Sequence, residues 1–125
     1  MWTDVLLISA GAILGANLRY AVGRLALEHL SASVPYGTLI VNVSGSFLLG
    51  FFLAWTSERV IADPRLRLLV AVGFCGAYTT YSSYSFETVV MLEQGHYALA
   101  TANFVANNLL CLAAVAAGVA LARAI

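Results

Sequence analysis

The sequence predicts an all-α membrane protein of four transmembrane helices, the third broken near the bilayer midplane. Three observations carry this. Of 125 residues, 62% are hydrophobic and only 10% charged, whereas a water-soluble domain carries about 25% charged side chains because its surface must face solvent. Residues 30–57, 68–86 and 97–122 hold no charge, and each is long enough to cross the hydrocarbon core, which takes roughly 20 helical residues. Within the third stretch, residues 78–85 read Tyr-Thr-Thr-Tyr-Ser-Ser-Tyr-Ser. A helix facing lipid has no use for a hydroxyl at every position.

Taken in order, the first span is the least clean. Residues 5–18 are uncharged but short, and a full crossing continues through Arg19 and Arg24 to about residue 27. The expected spans are 4–27, 36–57, 67–92 and 97–122, forming one domain over residues 1–125. Their brief connections force antiparallel neighbours. The N-terminus Met-Trp-Thr-Asp lacks the basic region of a secretory signal, so the first apolar run is expected to stay as structure.

Charge and cysteine usage exclude several functions. Six arginines balance six acids and lysine is absent, which leaves no basic field for a nucleic acid backbone. Cys75 and Cys111 lie in apolar surroundings without disulfide-framework or zinc spacing. His29 and His96 fall in predicted loops with no metal-ligand partners nearby. With no nucleophile–base pair or metal cluster, an enzyme is not expected. The side shared by both termini and the second connection carries Arg59, Arg65, Arg67 and Arg123; the other carries Arg24, with Arg19 just inside the membrane. That bias is weak; it puts the termini in the cytoplasm yet is small enough for insertion in both orientations.

The polar residues inside the apolar spans hold the functional information. A non-helical break at membrane depth is tolerated only where it is buried or lines a watery cavity. The alternative is an intact helix whose Ser and Thr bond back to their own carbonyls, which accounts for two or three such residues better than for the whole run. Counting from Leu68 at 1.5 Å per residue, positions 76–79 lie roughly 12–17 Å deep, at the midplane, and Tyr81 and Tyr84 roughly 20–24 Å deep. Asn42 and Asn103, entering from the far side, come to roughly 21 Å on the same scale, with Arg19 and Glu87 near that layer and its mouth. Each alone has a structural reading: Asn42, Asn103 and Asn107 as interhelical bonds, Arg19 and Glu87 as side chains snorkelling to the interface. Stacked at one height they mark a pathway. Hydroxyls and amides both donate and accept, so they leave the sign of the ion open; electropositive ring edges and an arginine lean towards an anion. Gly11 and Gly15, Ser46 and Gly50, and Gly118 allow close helix approach. Four helices alone hardly enclose a pore, so the polar run calls for a second subunit.

At these residues the sequence resembles the Fluc (CrcB) family of fluoride channels. The matching pieces are Gly15-Ala16-Asn17-Leu18-Arg19-Tyr20, then Gly37-Thr38-Leu39-Ile40-Val41-Asn42 running on through Gly45-Ser46-Phe47 to Gly50. Gly73-Phe74-Cys75-Gly76 follows, with Thr79-Thr80-Tyr81-Ser82-Ser83-Tyr84-Ser85. The resemblance implies an antiparallel, dual-topology homodimer with two fluoride pathways along its interface. It implies a structural sodium ion at the two-fold axis, held by backbone carbonyls matching Gly76 and Thr79. Asn42 matches a pore hydrogen-bond donor, Ser82 and Ser83 the hydroxyls after the break, and Glu87 the family's acid. Thr80, Asn103 and Asn107 are further pore-lining candidates, with Arg19 and Glu87 at the vestibule. Tyr81 and Tyr84 stand where the family usually has phenylalanines whose ring edges face the ion. The added hydroxyl could donate to fluoride or narrow the path.

The expected function is passive fluoride export across the bacterial inner membrane. One rival is a small multidrug-resistance-type cation exporter, which would want a glutamate inside the first helix where only Asp4 stands at the edge. The other is a non-transporting membrane assembly protein whose polar run binds a partner helix.

Overall fold

In the computed structural model, which describes residues 1–58 and 63–125, those residues form helices and connections without a strand. Helix α1 is Trp2–His29 and α2 is Tyr36–Glu58. Helix α3 covers residues 64–78, opening as one α-turn at Pro64–Leu66, running as a π-helix over Arg67–Cys75 and closing as a second α-turn at Gly76–Tyr78. Helices α4 (Tyr81–Glu93) and α5 (Tyr97–Ala124) complete the chain. Among the described residues three segments, Trp2–His29, Tyr36–Ser57 and Tyr97–Ala124, are long and apolar enough to cross a membrane. Many large apolar side chains face outwards, among them Leu6, Ile13, Leu14, Leu109 and Leu112. The chain is an integral, multi-pass membrane protein. Arg59, counted above in the charge bias, lies outside the described residues, and His29 closes α1 rather than sitting in a loop.

Local chemistry sets the ends of α3 and α4. Asp63 caps α3, its carboxylate accepting from the Arg65 amide at 2.9 Å, with Pro64 in the first turn where its missing N–H costs nothing. Beyond α4 the chain reverses at Gly95, whose φ of +76° is the left-handed conformation that glycine adopts without strain. The His96 amide returns to the Met91 carbonyl at 2.8 Å and the Gly95 amide to Leu92 at 3.0 Å, satisfying two carbonyls the helix end leaves free.

Between α3 and α4 the backbone is extended, with φ/ψ of −79°/164° at Thr79 and −154°/113° at Thr80. Gly76 itself is helical, at −62°/−33°, so the break falls on the two threonines after it. β-Branched residues lose rotamer freedom in a helix, and threonine's hydroxyl offers the backbone another partner. The Thr79 hydroxyl donates to the Cys75 carbonyl at 3.0 Å, and the Thr80 hydroxyl accepts from the Ser83 amide at 3.2 Å, capping α4.

Two parallel helix pairs position this break. Along α1, Gly11 and Gly15 lie against the α3 backbone, where a Cβ would overlap the carbonyl oxygens of Leu69 and Phe74. Along α2, Gly50 faces the Val115 carbonyl, while Gly118 of α5 faces that of Phe47. In both pairs contacts advance in the same chain direction. Close backbone approach of this kind supplies the van der Waals packing that holds helices together where no hydrophobic drive acts between them. The α2–α5 register departs from the depth count by one turn: Asn42 meets Asn107, not Asn103. The count assumed that both helices start at one height, and they do not.

Candidate ion pathway at the helix break

Extended backbone at Thr79 and Thr80 strips helix bonds from its neighbours, and a buried backbone group without a partner costs about as much as a lost hydrogen bond. Asn42 of α2 answers both faces of Thr80. Its Oδ1 accepts from the Thr80 amide at 2.8 Å, and its Nδ2 donates to the Thr80 carbonyl at 3.0 Å. An N–H can only donate and a carbonyl only accept, so this contact fixes which way the amide points.

The second N–H of Asn42 starts a relay. It donates to Asn107 Oδ1 at 3.0 Å; Asn107 Nδ2 donates to Asn103 Oδ1 at 3.0 Å and to the Asn103 carbonyl at 3.1 Å. Asn103 Nδ2 then donates to the Thr88 hydroxyl at 2.9 Å, which donates to the Tyr84 carbonyl at 2.8 Å. All three asparagines are buried. Sequence reasoning selected them as polar candidates, and the fold makes them a bracket tying α2, α5 and α4 to the break.

Arg19 reaches the break as well, its Nη1 donating to the Thr79 carbonyl at 3.3 Å. The Thr80 amide, which an unbroken helix would send to Gly76, goes to Asn42. Gly76 is exposed on the chain, and a Cβ there would meet only Ala71 oxygen at 3.9 Å. On the other side of the break, the first amides of α4 form the positive end of a helix dipole. Ser83 Oγ accepts from the Thr80 hydroxyl at 2.9 Å, and Ser82 Oγ lies 3.4 Å from the same oxygen.

Beside the break a groove of about 320 Å³ runs between α2, α4 and α5, lined by Asn42, Thr80, Tyr81, Tyr84, Asn108 and Cys111 among others. The Tyr81 and Tyr84 rings meet edge to face, centroids 5.3 Å apart and planes at 68°. Tyr81 is 76% exposed and Tyr84 only 4%. Glu87 stands apart, in a second cavity with Tyr20, Arg24 and Thr38. Its Oε1 accepts from the Thr38 hydroxyl at 2.6 Å, while Oε2 is buried with no hydrogen-bond partner among the described residues.

Three participants escaped sequence reasoning. Asn108 donates to the Tyr84 hydroxyl oxygen at 3.0 Å, Thr38 holds Glu87, and Ser44 Oγ lies 2.9 Å from the Tyr78 hydroxyl. For Asn108 a signal existed. It is a third amide in the last span and, unlike Asn103 and Asn107, is exposed on the chain.

The family model for CrcB-like protein, Camphor Resistance (CrcB), matches residues 6–119. The chain is 51% identical over 122 residues to the fluoride-specific ion channel FluC of Koribacter versatilis (strain Ellin345), covering 98% of this chain and 97% of that protein. It is 46% identical over 118 residues to the protein of the same name from Sulfurihydrogenibium sp. (strain YO3AOP1), covering 94% and 95%. For that of Rhizobium meliloti (strain 1021) the identity is 42% over 120 residues, covering 96% of each chain. Matched along nearly its whole length by the family model and by these relatives, the chain belongs to the CrcB family.

Proposed function

We propose that this chain is a fluoride-selective ion channel of the bacterial inner membrane, exporting fluoride passively and making or breaking no covalent bond. Relatives named for that activity support the reading over nearly the full chain. The observation that carries it is the wiring of the break: extended backbone at Thr79 and Thr80, clamped by Asn42 and opening onto a groove edged by Tyr81 and Tyr84. Discontinuous helices bring positive N-terminal ends to anions and free carbonyls to cations at the middle of a membrane.

In this reading residues 64–93 form the third of four crossings, a broken one, so that residues 1–125 are one four-span domain. Two copies assemble as an antiparallel, dual-topology homodimer in which each groove is closed by the other copy to give two pathways. Fluoride passes the ring edges of Tyr81 and Tyr84, the α4 amides and the hydroxyls of Thr80, Ser82 and Ser83. Asn42 holds Thr80 in place, backed by Asn107 and Asn103. Many weak donors let an ion enter and also leave. Arg19 adds positive charge beside Thr79, and Glu87 with Thr38 borders the vestibule.

The reading includes a structural sodium ion at the dimer centre. The donor set fits: the Thr80 amide is turned from Gly76 towards Asn42, Gly76 is exposed, and carbonyl oxygens suit a hard cation. Gly76 and Thr79 would hold it, Thr79 sharing its second lone pair with Arg19. When bound, the ion supplies positive charge that offsets repulsion between anions in the two pathways.

Proteoliposomes loaded with fluoride and chloride and made permeable to potassium test the function. Release of fluoride with retention of chloride is expected; correctly folded dimers that release no fluoride would refute it.

A further inference from the structure

The hydroxyl of Tyr84 is held in an unusual way. Asn108 Nδ2 donates to the Phe104 carbonyl at 2.8 Å and to the Tyr84 hydroxyl oxygen at 3.0 Å. A carbonyl can only accept, so the atom facing it is the amide nitrogen, and the same nitrogen must donate to the phenol. The Tyr84 oxygen is therefore an acceptor there, and its own proton points elsewhere. Among the described residues nothing accepts that proton, although Tyr84 is only 4% exposed.

Tyr78 is the contrast. The Ser44 hydroxyl donates to the Ile40 carbonyl at 2.6 Å, which leaves its oxygen to accept from the Tyr78 hydroxyl at 2.9 Å. One buried phenol has an acceptor within the chain; the other has a donor beside it and a groove in front of it. Tyr84 and Asn108 both line the groove next to the break. Asn108 is exposed on the chain, and an amide in a membrane span faces a partner or a watery path far more readily than lipid.

We propose that the Tyr84 hydroxyl is a direct fluoride ligand, its proton aimed into the pathway by Asn108. The assignment rests on the channel reading and adds to it a donor that a phenylalanine ring lacks. Tyr84 touches the ion; Asn108 is a positioning residue that occupies the phenol's acceptor side. A hydrogen bond from a neutral O–H to an anion is shorter and roughly twice as strong as a neutral pair, so this site holds fluoride more tightly than ring edges alone.

The test uses purified dimers of the full chain, free and in liposomes, with sodium fluoride as the probe and sodium chloride as control. Adding fluoride to the wild type should red-shift tyrosine absorbance, and Tyr84→Phe should remove that shift. The half-saturating fluoride concentration for efflux should rise about tenfold or more in Tyr84→Phe, the loss expected for a bond to a charged partner. Asn108→Leu should raise it in the wild-type background and change nothing further in Tyr84→Phe; a purely structural role would give additive losses. Identical difference spectra and identical half-saturation in wild type and Tyr84→Phe would overturn the assignment while leaving fluoride conduction intact. A wild type that releases no fluoride would instead overturn the channel reading, and the difference spectrum would still decide whether the phenol binds the ion.

Discussion

Asn42 bears the greatest local responsibility in this molecule. Its Oδ1 takes the Thr80 amide that an unbroken helix would send to Gly76, and both of its own amide protons are engaged. Replacing it by alanine leaves the buried Thr80 N–H without an acceptor and takes a donor from the buried Asn107 Oδ1, and a buried group left unpaired costs about 1–3 kcal/mol. Asn42→Ala dimers should therefore unfold at clearly lower temperature, as thermal scans in detergent would measure. Asn42→Asp keeps the shape but sets carboxylate oxygens against the Thr80 carbonyl and Asn107 Oδ1. It also places a like charge beside the anion path, so fluoride flux should fall at least tenfold in the liposome assay. That Asn42 mattered was legible from its depth; what it does was not. The sequence shows an amide inside an apolar helix, while its partners depend on how α2 is rotated against residues 38 and 65 positions away.

At the scale of elements, the break between α3 and α4 is held by a cap, a clamp and a glycine seam. Thr80 caps α4, and removing such a cap costs about 0.5–2 kcal/mol. Thr80→Ala should therefore loosen the start of α4, read as faster amide exchange at Ser82 and Ser83 while α2 and α5 keep wild-type protection. Along the seam, Gly15→Val should be far more damaging than Gly23→Val. A Cβ at Gly15 runs into the Phe74 backbone, whereas at Gly23 it meets nothing within 4 Å; the yield of folded dimer would separate them. Three long apolar helices and the break could be read from charge-free runs and eight consecutive hydroxyls. The π-helix at Arg67–Cys75 could not. Nor could the one-turn offset between α2 and α5. In helices apolar on almost every side, periodicity does not reveal which face is buried, so rotation and register emerge only in the packing of glycines against backbone and in the pairing of Asn42 with Asn107.

For the molecule as a whole, a single chain leaves its groove open and Gly76 exposed. Because a Cβ at Gly76 finds room within one chain, Gly76→Val should fold yet dimerise poorly, separating intrachain packing from assembly on a sizing column. An unchanged dimer would argue against a central ion held by that carbonyl. At the level of residues, the expectation of a second subunit rests on a polar run too long for four helices to hide. The central claim is that the Asn42-clamped break builds the fluoride path. The most direct measurement is the initial rate of fluoride efflux from potassium-permeable proteoliposomes containing wild-type or Asn42→Asp dimers at equal density. The account predicts rapid release by the wild type, with chloride retained, and release near the protein-free background for Asn42→Asp. Equal rates for the two dimers would contradict it.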